Sequence, residues 1–174
     1  MNQISSTPPP LTVLHIAPTP FFADRGCHIR VRGLILALNR RGVRNLLCTY
    51  HHGRDVEGVQ TYRSKTINAY TKLEAGPSAY KYLADIYLLI KVCQIIKQER
   101  PDVIHGHLHE GLLIGWMAKW LFFWRRIPLV FDVQGSLVGE LDAHGYFNKL
   151  KFIRPVFWAI EWLITRMPTH LSLI

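Results

Sequence analysis

Short apolar runs alternate along this chain with longer segments in which apolar residues recur at helical spacing, the pattern of a parallel α/β sheet. The runs predict six strands, at residues 11–17, 43–50, 60–63, 102–106, 129–133 and 169–174. Because helix-length segments separate most of them, we predict a single Rossmann-like, doubly wound parallel sheet.

Four helices are predicted between these strands. The first begins near Gly26 and ends before Gly42, which suits a helix C-cap; its apolar stripe is Val31, Leu34, Ile35 and Leu38. The second follows Gly76, Pro77 and Ser78 and stops before Pro101; its stripe is Leu83, Ile86, Tyr87, Ile90 and Cys93. The third and fourth helices are predicted at residues 111–123 and 155–166.

Length and composition are those of one globular domain. Of the 174 residues, 49% are apolar, so residues 11–174 can form a core and residues 1–10 form a loose arm. Three separate cysteines and the lack of a signal peptide favour the reducing cytoplasm. Charged residues interrupt every apolar stretch before about 18 residues, which favours a soluble or peripheral protein.

The net charge of +9 favours anionic partners. Phosphates, nucleotides and acidic membrane surfaces all qualify. No nucleic-acid-binding motif is recognisable, so we expect no nucleic-acid partner.

Polar and small residues gather where four of the predicted strands end. These segments are 18–26 (PTPFFADRG), 51–55 (HHGRD), 107–111 (HLHEG) and 134–140 (QGSLVGE). In doubly wound sheets, ligands bind beyond the carboxyl ends of the strands. We therefore expect one ligand-binding rim that includes His51, His52, His107 and His109.

The stretch HGHLHE raises the question of a metal site. On an extended strand His105, His107 and His109 share one face and could hold zinc, the basis of a metal-dependent hydrolase as one alternative. The stretch nevertheless misses both the HxHxDH and the HExxH order. Because the strand is predicted to end near Gly106, we expect a hydrogen-bonded His105 at the sheet, His107 and His109 in a ligand-binding loop, and no metal.

Two helix starts at the rim could bind anions. Arg25 and Gly26 open the first helix, where backbone N–H groups and the helix dipole favour negative charge, although a plain turn explains one glycine as well. Gly135 and Ser136 offer N–H groups in the same way, but Ser136 could equally be an N-cap.

The last helix combines basic and aromatic residues. Lys149, Lys151 and Arg154 precede Phe157, Trp158 and Trp162, a composition that suits an interfacial helix, although core packing is the more usual explanation. The spacing of Trp116, Trp120 and Trp124 likewise fits either packing or an apolar patch.

Four segments together resemble a known family. FFADRGCHIRVRGLILALNRRG, TYHHGRDVEG, PDVIHGHLHEG and VFDVQGSLVGEL, in this order, are similar to the N-terminal half of family 4 retaining glycosyltransferases of the GT-B fold. The resemblance covers nearly all of residues 11–174.

The resemblance implies two Rossmann-like domains facing across a cleft, the N-terminal one for the acceptor and the C-terminal one for the nucleotide sugar. It places Arg25 and Gly26 near the donor phosphates and gives the reaction-centre contact to His107 or His109. The expected site contains no metal, and the nucleotide sugar is a co-substrate rather than a cofactor. Further rim residues expected to bind donor phosphate or acceptor are His51, His52, Glu110, Gln134, Gly135 and Ser136.

The sequence also departs from the family pattern. Arg25 and Gly26 replace a pair of glycines, and the sequence THLSLI resembles the strand before the interdomain linker. We therefore expect an acceptor-side half, inactive alone, from a truncated or a split transferase. Its expected partners are a separate donor-binding domain, an acceptor glycan or lipid-linked acceptor, and an anionic membrane surface. A non-catalytic binding module is the remaining alternative.

Overall fold

The computed structural model describes residues 9–71, 79–133, 135–136, 138–139 and 154–173. Six parallel strands form one sheet in the order β3-β2-β1-β4-β5-β6. The strands are β1 (Thr12–Ala17), β2 (Arg44–Thr49), β3 (Gln60–Arg63), β4 (Val103–His107), β5 (Leu129–Val133) and β6 (His170–Leu173). The predicted fold class is confirmed, and the predicted strand ends lie within one residue of those observed.

The helices are α1 (Gly26–Asn39), α2 (Ala79–Glu99), α3 (Leu108–Leu121) and α4 (Arg154–Ile164), and a 3-10 turn follows α3 at Phe123–Arg125. Helix α3 begins three residues earlier than predicted because the turn from β4 is very tight. Leu108 has a φ of 62°, which a non-glycine residue rarely adopts. This sharp turn places β4 and the start of α3 directly against each other.

Apolar side chains bury both faces of the sheet. Helices α2, α3 and α4 contribute to one large core on the first face, with Leu14, Ile16 and Ile104 at its centre and fully buried. Helix α1 covers part of the opposite face through a smaller core of Ala17, Phe21, Phe22, Val31, Ile35, Leu47 and Val59. Each fully buried side chain of this size contributes roughly 1.5–3 kcal/mol, so the larger face dominates stability.

The smaller face carries polar groups as well. Because strand residues alternate between faces, His15 points to the same side as Ala17, whereas Leu14 and Ile16 point to the large core. His15, Asn45, His107 and Asp132 are all buried at 5% exposure or less. The α1 face is therefore a mixed polar and apolar interior.

Strands β1, β2 and β3 follow one another toward one edge of the sheet, and β4, β5 and β6 follow one another toward the other edge. The change of direction falls between β1 and β4, which pair directly. Helix α1 follows β1 on one face and α3 follows β4 on the other. Such a reversal is the topological switch point at which doubly wound sheets bind ligands.

Two glycines permit the close packing at this point. A Cβ on Gly106 would lie 2.8 Å from the backbone nitrogen of Leu112, and one on Gly111 would lie 2.7 Å from the carbonyl oxygen of Ile16. Helix α3 can therefore begin immediately beside the ends of β1 and β4.

Candidate functional site

The loops after β1 and β2 form one part of the predicted rim. Tyr50 N–H donates to the Thr19 carbonyl at 3.3 Å, and Phe22 N–H donates to the Arg54 carbonyl at 3.0 Å. The Arg63 guanidinium donates to the carbonyl oxygens of Phe21 and His52, at 2.8 and 3.0 Å. These contacts hold the two loops together at the carboxyl edge of the sheet.

Arg25 and Gly26 lie at the start of α1, as predicted. Arg25 is the N-cap in an extended conformation without a side-chain cap bond, and the first turn contains no acidic residue. A Cβ on Gly26 would meet no atom within 4 Å, and Gly26 needs no glycine-only conformation. A side chain could therefore be added at Gly26 without a clash, and the absence of acidic residues from the first turn keeps the positive end of this helix favourable to an anion.

His28 holds the loop after β1 onto α1. Its Nδ1 accepts a hydrogen bond from Ala23 N–H at 2.9 Å, so the neutral ring donates from Nε2 to Thr19 Oγ1 at 2.6 Å. Burial, together with the positive charge of Arg25, lowers the pKa of His28 to about 4. The folded chain therefore keeps this histidine neutral.

Acid is expected to destabilise the chain partly through His28. The folded-state pKa of about 4 lies below the ordinary 6.5, so this contribution is fully present above pH 6.5 and is lost as the pH falls to 4. Between these limits the unfolding free energy falls by up to about 1.4 kcal/mol per pH unit from this group. Urea unfolding at pH 7 and pH 4.5 should show a smaller fall in His28→Gln than in the wild type; equal falls contradict the assignment.

His107 is not in a loop as predicted. It is the last residue of β4 and is fully buried, and its two ring nitrogens face His15 and Asp132. His107 Nε2 lies 3.0 Å from His15 Nδ1, and His107 Nδ1 lies 3.2 Å from Asp132 Oδ2. Asp132 is also bound by the guanidinium of Arg30 from α1, through Nε at 3.0 Å and through a second nitrogen. His107, one of the two candidates for the sugar contact, is therefore held by His15 on one side of its ring and by Asp132 on the other.

The neighbouring Asn45 fixes the tautomer of His15. The Asn45 amide nitrogen donates to Asn39 Oδ1 at 2.8 Å and to the Val43 carbonyl at 2.9 Å, so its Oδ1 must accept. His15 Nε2–H therefore donates to Asn45 Oδ1 at 2.9 Å, and the lone pair of Nδ1 points to His107. Burial, reinforced by His107 and His105, lowers the pKa of His15 well below its usual value.

His105 is a buried strand residue, as predicted, but in the part of the chain that the structure describes its Nε2 has no hydrogen-bond partner. The prediction of a hydrogen-bonded ring is wrong for that nitrogen. Burial, together with His107, lowers the pKa of His105 to about 3.

The prediction that His105, His107 and His109 share one face is also wrong, because His109 does not belong to the cluster. His15 rather than His109 joins His105 and His107 in one cluster. The metal-dependent hydrolase built on His105, His107 and His109 therefore loses its ligand set. Sequence reasoning missed His15, because its pairing in register with His105 depends on the placement of β1 beside β4, about 90 residues along the chain.

His109 and Glu110 lie in the first turn of α3. His109 is half-buried, and its ring centroid lies 5.7 Å from that of Phe131. Glu110 forms an ion pair with Lys81 of α2. Burial alone would raise the pKa of Glu110, but the charge and hydrogen bond of Lys81 hold it below its usual value. Glu110 is thus anionic and already paired.

His51 and His52 lie together after β2, with ring centroids 4.4 Å apart, and both pack against Tyr70. His51 Nε2 lies 3.0 Å from the Tyr70 carbonyl oxygen, to which it donates. Burial, together with His52, lowers the pKa of His51. Both rings are half-buried, so a ligand can reach them at this rim position.

The segment after β5 is described only in part, and Gln134 lies outside the described residues. Ser136 Oγ accepts from Gly139 N–H at 3.1 Å and donates to Glu161 at 3.0 Å. This i to i+3 contact is that of an N-cap, which supports the capping interpretation of Ser136. Gly135 belongs to the same turn.

The fold has relatives among solved structures. It is similar to sucrose-phosphate synthase from Thermosynechococcus elongatus (TM-score 0.66, 13% identity, 94% of this chain and 47% of that one). It is also similar to MurG from Acinetobacter baumannii (TM-score 0.54, 13% identity, 94% and 41%). A protein described as a UDP-N-acetylglucosamine 2-epimerase from Listeria monocytogenes gives a TM-score of 0.53 at 14% identity (94% and 39%).

At these identities the likeness shows the fold alone, and the chain spans less than half the length of each structure. No curated protein shows significant sequence similarity to the chain. The family model described as "Glycosyl transferase 4-like domain" matches residues 25–173, which include the α1 start, the histidines of β4 and the turn after β5. The chain therefore belongs to the glycosyl transferase 4-like domain family.

Proposed function

We propose that this chain is the acceptor-side half of a retaining glycosyltransferase that transfers a sugar from a nucleotide-sugar donor. The observation that carries the proposal is the switch point between β1 and β4, where α1 and α3 begin at the carboxyl ends of two neighbouring strands and lie on opposite faces of the sheet. The family membership supports glycosyl transfer as the chemistry.

The start of α1 is suited to the donor diphosphate. The first turn of α1 lacks acidic residues, and Arg25 at the N-cap adds positive charge. A leaving diphosphate carries negative charge that must be stabilised in the transition state. In this proposal, Arg25 and the backbone of α1 supply part of that stabilisation from the acceptor side.

His107 and His109 differ in how they could contact the sugar. The His109 ring reaches the surface at the start of α3, whereas His107 is buried and must exchange its bond to His15 before it can donate to a substrate. His51, His52 and the turn at Gly135 remain candidates for acceptor binding. Ser136 and Glu110 already have protein partners and would act mainly by holding the rim in place.

The direct test is a two-chain assay. This chain is mixed with a donor-binding C-terminal half from the same family and incubated with UDP-, GDP- and ADP-sugars and a glycan and lipid acceptor panel. Sugar transfer that requires both chains, with retention of anomeric configuration, supports the proposal. Transfer by the donor half alone at the same rate, or products of inverted configuration, contradict it.

The exposed apolar surface supports a membrane-bound acceptor. Trp158 and Trp162 of α4 are 61% and 56% exposed, and Trp120 and Trp124, at the end of α3 and just after it, are 62% and 63% exposed. The core-packing interpretation is therefore wrong for these four side chains, whereas Trp116 does pack against the core.

No helix in the described residues is both long and apolar enough to cross a bilayer. We propose that the exposed face of α4 that carries Trp158 and Trp162, here called the tryptophan face, binds an anionic membrane.

Vesicle binding is expected to depend on both charge and tryptophans. The net charge of +9 complements anionic lipid, and Arg166 lies over the Trp162 ring at 3.8 Å. Each basic residue near the surface contributes about 1 kcal/mol, so binding should be weak and salt-sensitive. Pelleting with vesicles containing phosphatidylserine should fall several-fold in Trp158→Ser/Trp162→Ser, but not in Ile29→Ser on the opposite face.

Equal pelleting of the tryptophan variant and the wild type contradicts membrane binding through α4. Pelleting without vesicles, or loss of a dimer in the variant, indicates instead that the tryptophan face binds a second copy. Lys149 and Lys151 lie outside the described residues and are tested separately as Lys149→Glu/Lys151→Glu.

A further inference from the structure

Three imidazoles converge beneath the switch point. His15 from β1 and His105 and His107 from β4 share the α1 face of the sheet, and one ring nitrogen from each lies within 4.8 Å of the other two. Their ring centroids are 4.5 to 5.3 Å apart. His15 and His107 are fully buried, and His105 is 8% exposed. This histidine cluster comes from two adjacent strands and is therefore held rigidly.

The ring nitrogens with which His15 and His107 face each other are already oriented as metal ligands require. His15 Nδ1 and His107 Nε2 face each other at 3.0 Å, close to the roughly 3.3 Å that separates two nitrogens on a tetrahedral zinc ion with Zn–N bonds of about 2.0–2.1 Å. Their other nitrogens contact Asn45 Oδ1 and Asp132 Oδ2. Carbonyl and carboxylate partners of this kind orient metal-binding histidines in known sites.

The third member provides an independent observation. His105 Nε2 is buried without a hydrogen-bond partner in the described part of the chain. Buried polar atoms of this kind are rare in folded proteins and call for an explanation such as a bound ion.

The local charges permit a cation of the right class. The carboxylate of Asp132 contacts His107, and the guanidinium of Arg30 balances the charge of that carboxylate. Imidazole ligands without a coordinating carboxylate favour zinc, copper, cobalt or nickel over magnesium and calcium, which prefer oxygen ligands.

We propose that His15, His105 and His107 form a buried binding site for a transition-metal ion of the zinc class. The ion bonds to one nitrogen of each ring, satisfies His105 Nε2, and replaces the hydrogen bond between His15 and His107. It joins β1 to β4 directly beneath the ligand-binding rim. The proposal does not depend on the transferase function, but an ion bound there would occupy His107 Nε2 while Asp132 holds Nδ1, and it would leave the sugar contact to His109.

Metal uptake by the purified, chelator-treated chain tests the proposal. Titration with Co²⁺, followed by visible absorption, and with Zn²⁺, followed by calorimetry, is expected to give one ion per chain. His105→Gln should weaken Zn²⁺ binding by at least about 100-fold, and Asn45→Ala, which removes an outer partner, by about 10-fold. Two matched controls, His109→Gln and His51→Gln/His52→Gln, should bind as the wild type does.

His105→Gln removes a ring whose Nε2 makes no hydrogen bond, so the metal-free variant is expected to fold like the wild type, which circular dichroism checks. Absence of one-to-one binding by the wild type overturns the proposal whatever the variants do. So does wild-type affinity in both His105→Gln and Asn45→Ala, or loss of the ion in the His51→Gln/His52→Gln control.

Discussion

Supplied with nucleotide sugars and acceptors but with no donor-binding half, the chain is expected to show no transferase turnover. A retaining transfer needs the leaving diphosphate neutralised and the acceptor hydroxyl held near the anomeric carbon. If the chain is the acceptor-side half proposed above, Arg25, the start of α1 and the rim histidines bind only one side of such a complex. The measurement is product formation by mass spectrometry over a long incubation at high enzyme concentration.

The control is the same preparation after addition of a donor-binding half, in which activity should appear. Turnover by the chain alone that exceeds the turnover of a His107→Ala/His109→Ala double variant contradicts the expectation. In that case the rim itself holds the donor, and the site needs no second domain.

In the assembled transferase, alanine at the histidine that contacts the sugar is expected to lower kcat by about 100-fold or more. The loss arises because a hydrogen-bond donor aimed at developing charge is worth that much in a closed site. His107→Ala and His109→Ala are compared by steady-state kinetics. An unchanged KM with reduced kcat identifies an interaction made in the transition state.

Stability measurements separate the two variants. His107 is buried and bonded to His15 and Asp132, so its replacement should lower the free energy of unfolding, whereas replacement of the half-buried His109 should not. His170→Ala, an exposed histidine at the first residue of β6, is the control and should retain wild-type activity. Wild-type kcat in both His107→Ala and His109→Ala removes the reaction-centre assignment.

The sequence predicted the elements well where the signal is local. Residues 129–133 form a short run bounded by a proline and a polar turn, and strand β5 has the same limits. The stripe Val31, Leu34, Ile35 and Leu38 likewise predicted α1 because a helix that packs on a sheet must repeat its apolar positions every 3.6 residues.

The end of β4 was predicted one residue too early, and the error mattered. His107 continues the strand because it pairs with Asp132 of β5 and because Gly106 and Gly111 let α3 begin at once. Neither the pairing nor the close approach is visible in the residues next to His107. The exposure of Trp158 and Trp162 could not be predicted from the sequence either. A basic and aromatic helix has the same periodicity whether its aromatic side chains are buried or exposed.

By itself the sequence determined the fold class, the order of strands and helices, and the rim where polar residues follow the strands. These features depend on the spacing of apolar and polar residues within short segments. Only the tertiary structure decided that His15 meets His105 and His107, since residues about 90 positions apart become neighbours through the placement of β1 beside β4. It also decided that Arg30 reaches Asp132 and that His109 stays outside the cluster. These outcomes rest on strand order and on the tight turn into α3, which no local pattern specifies.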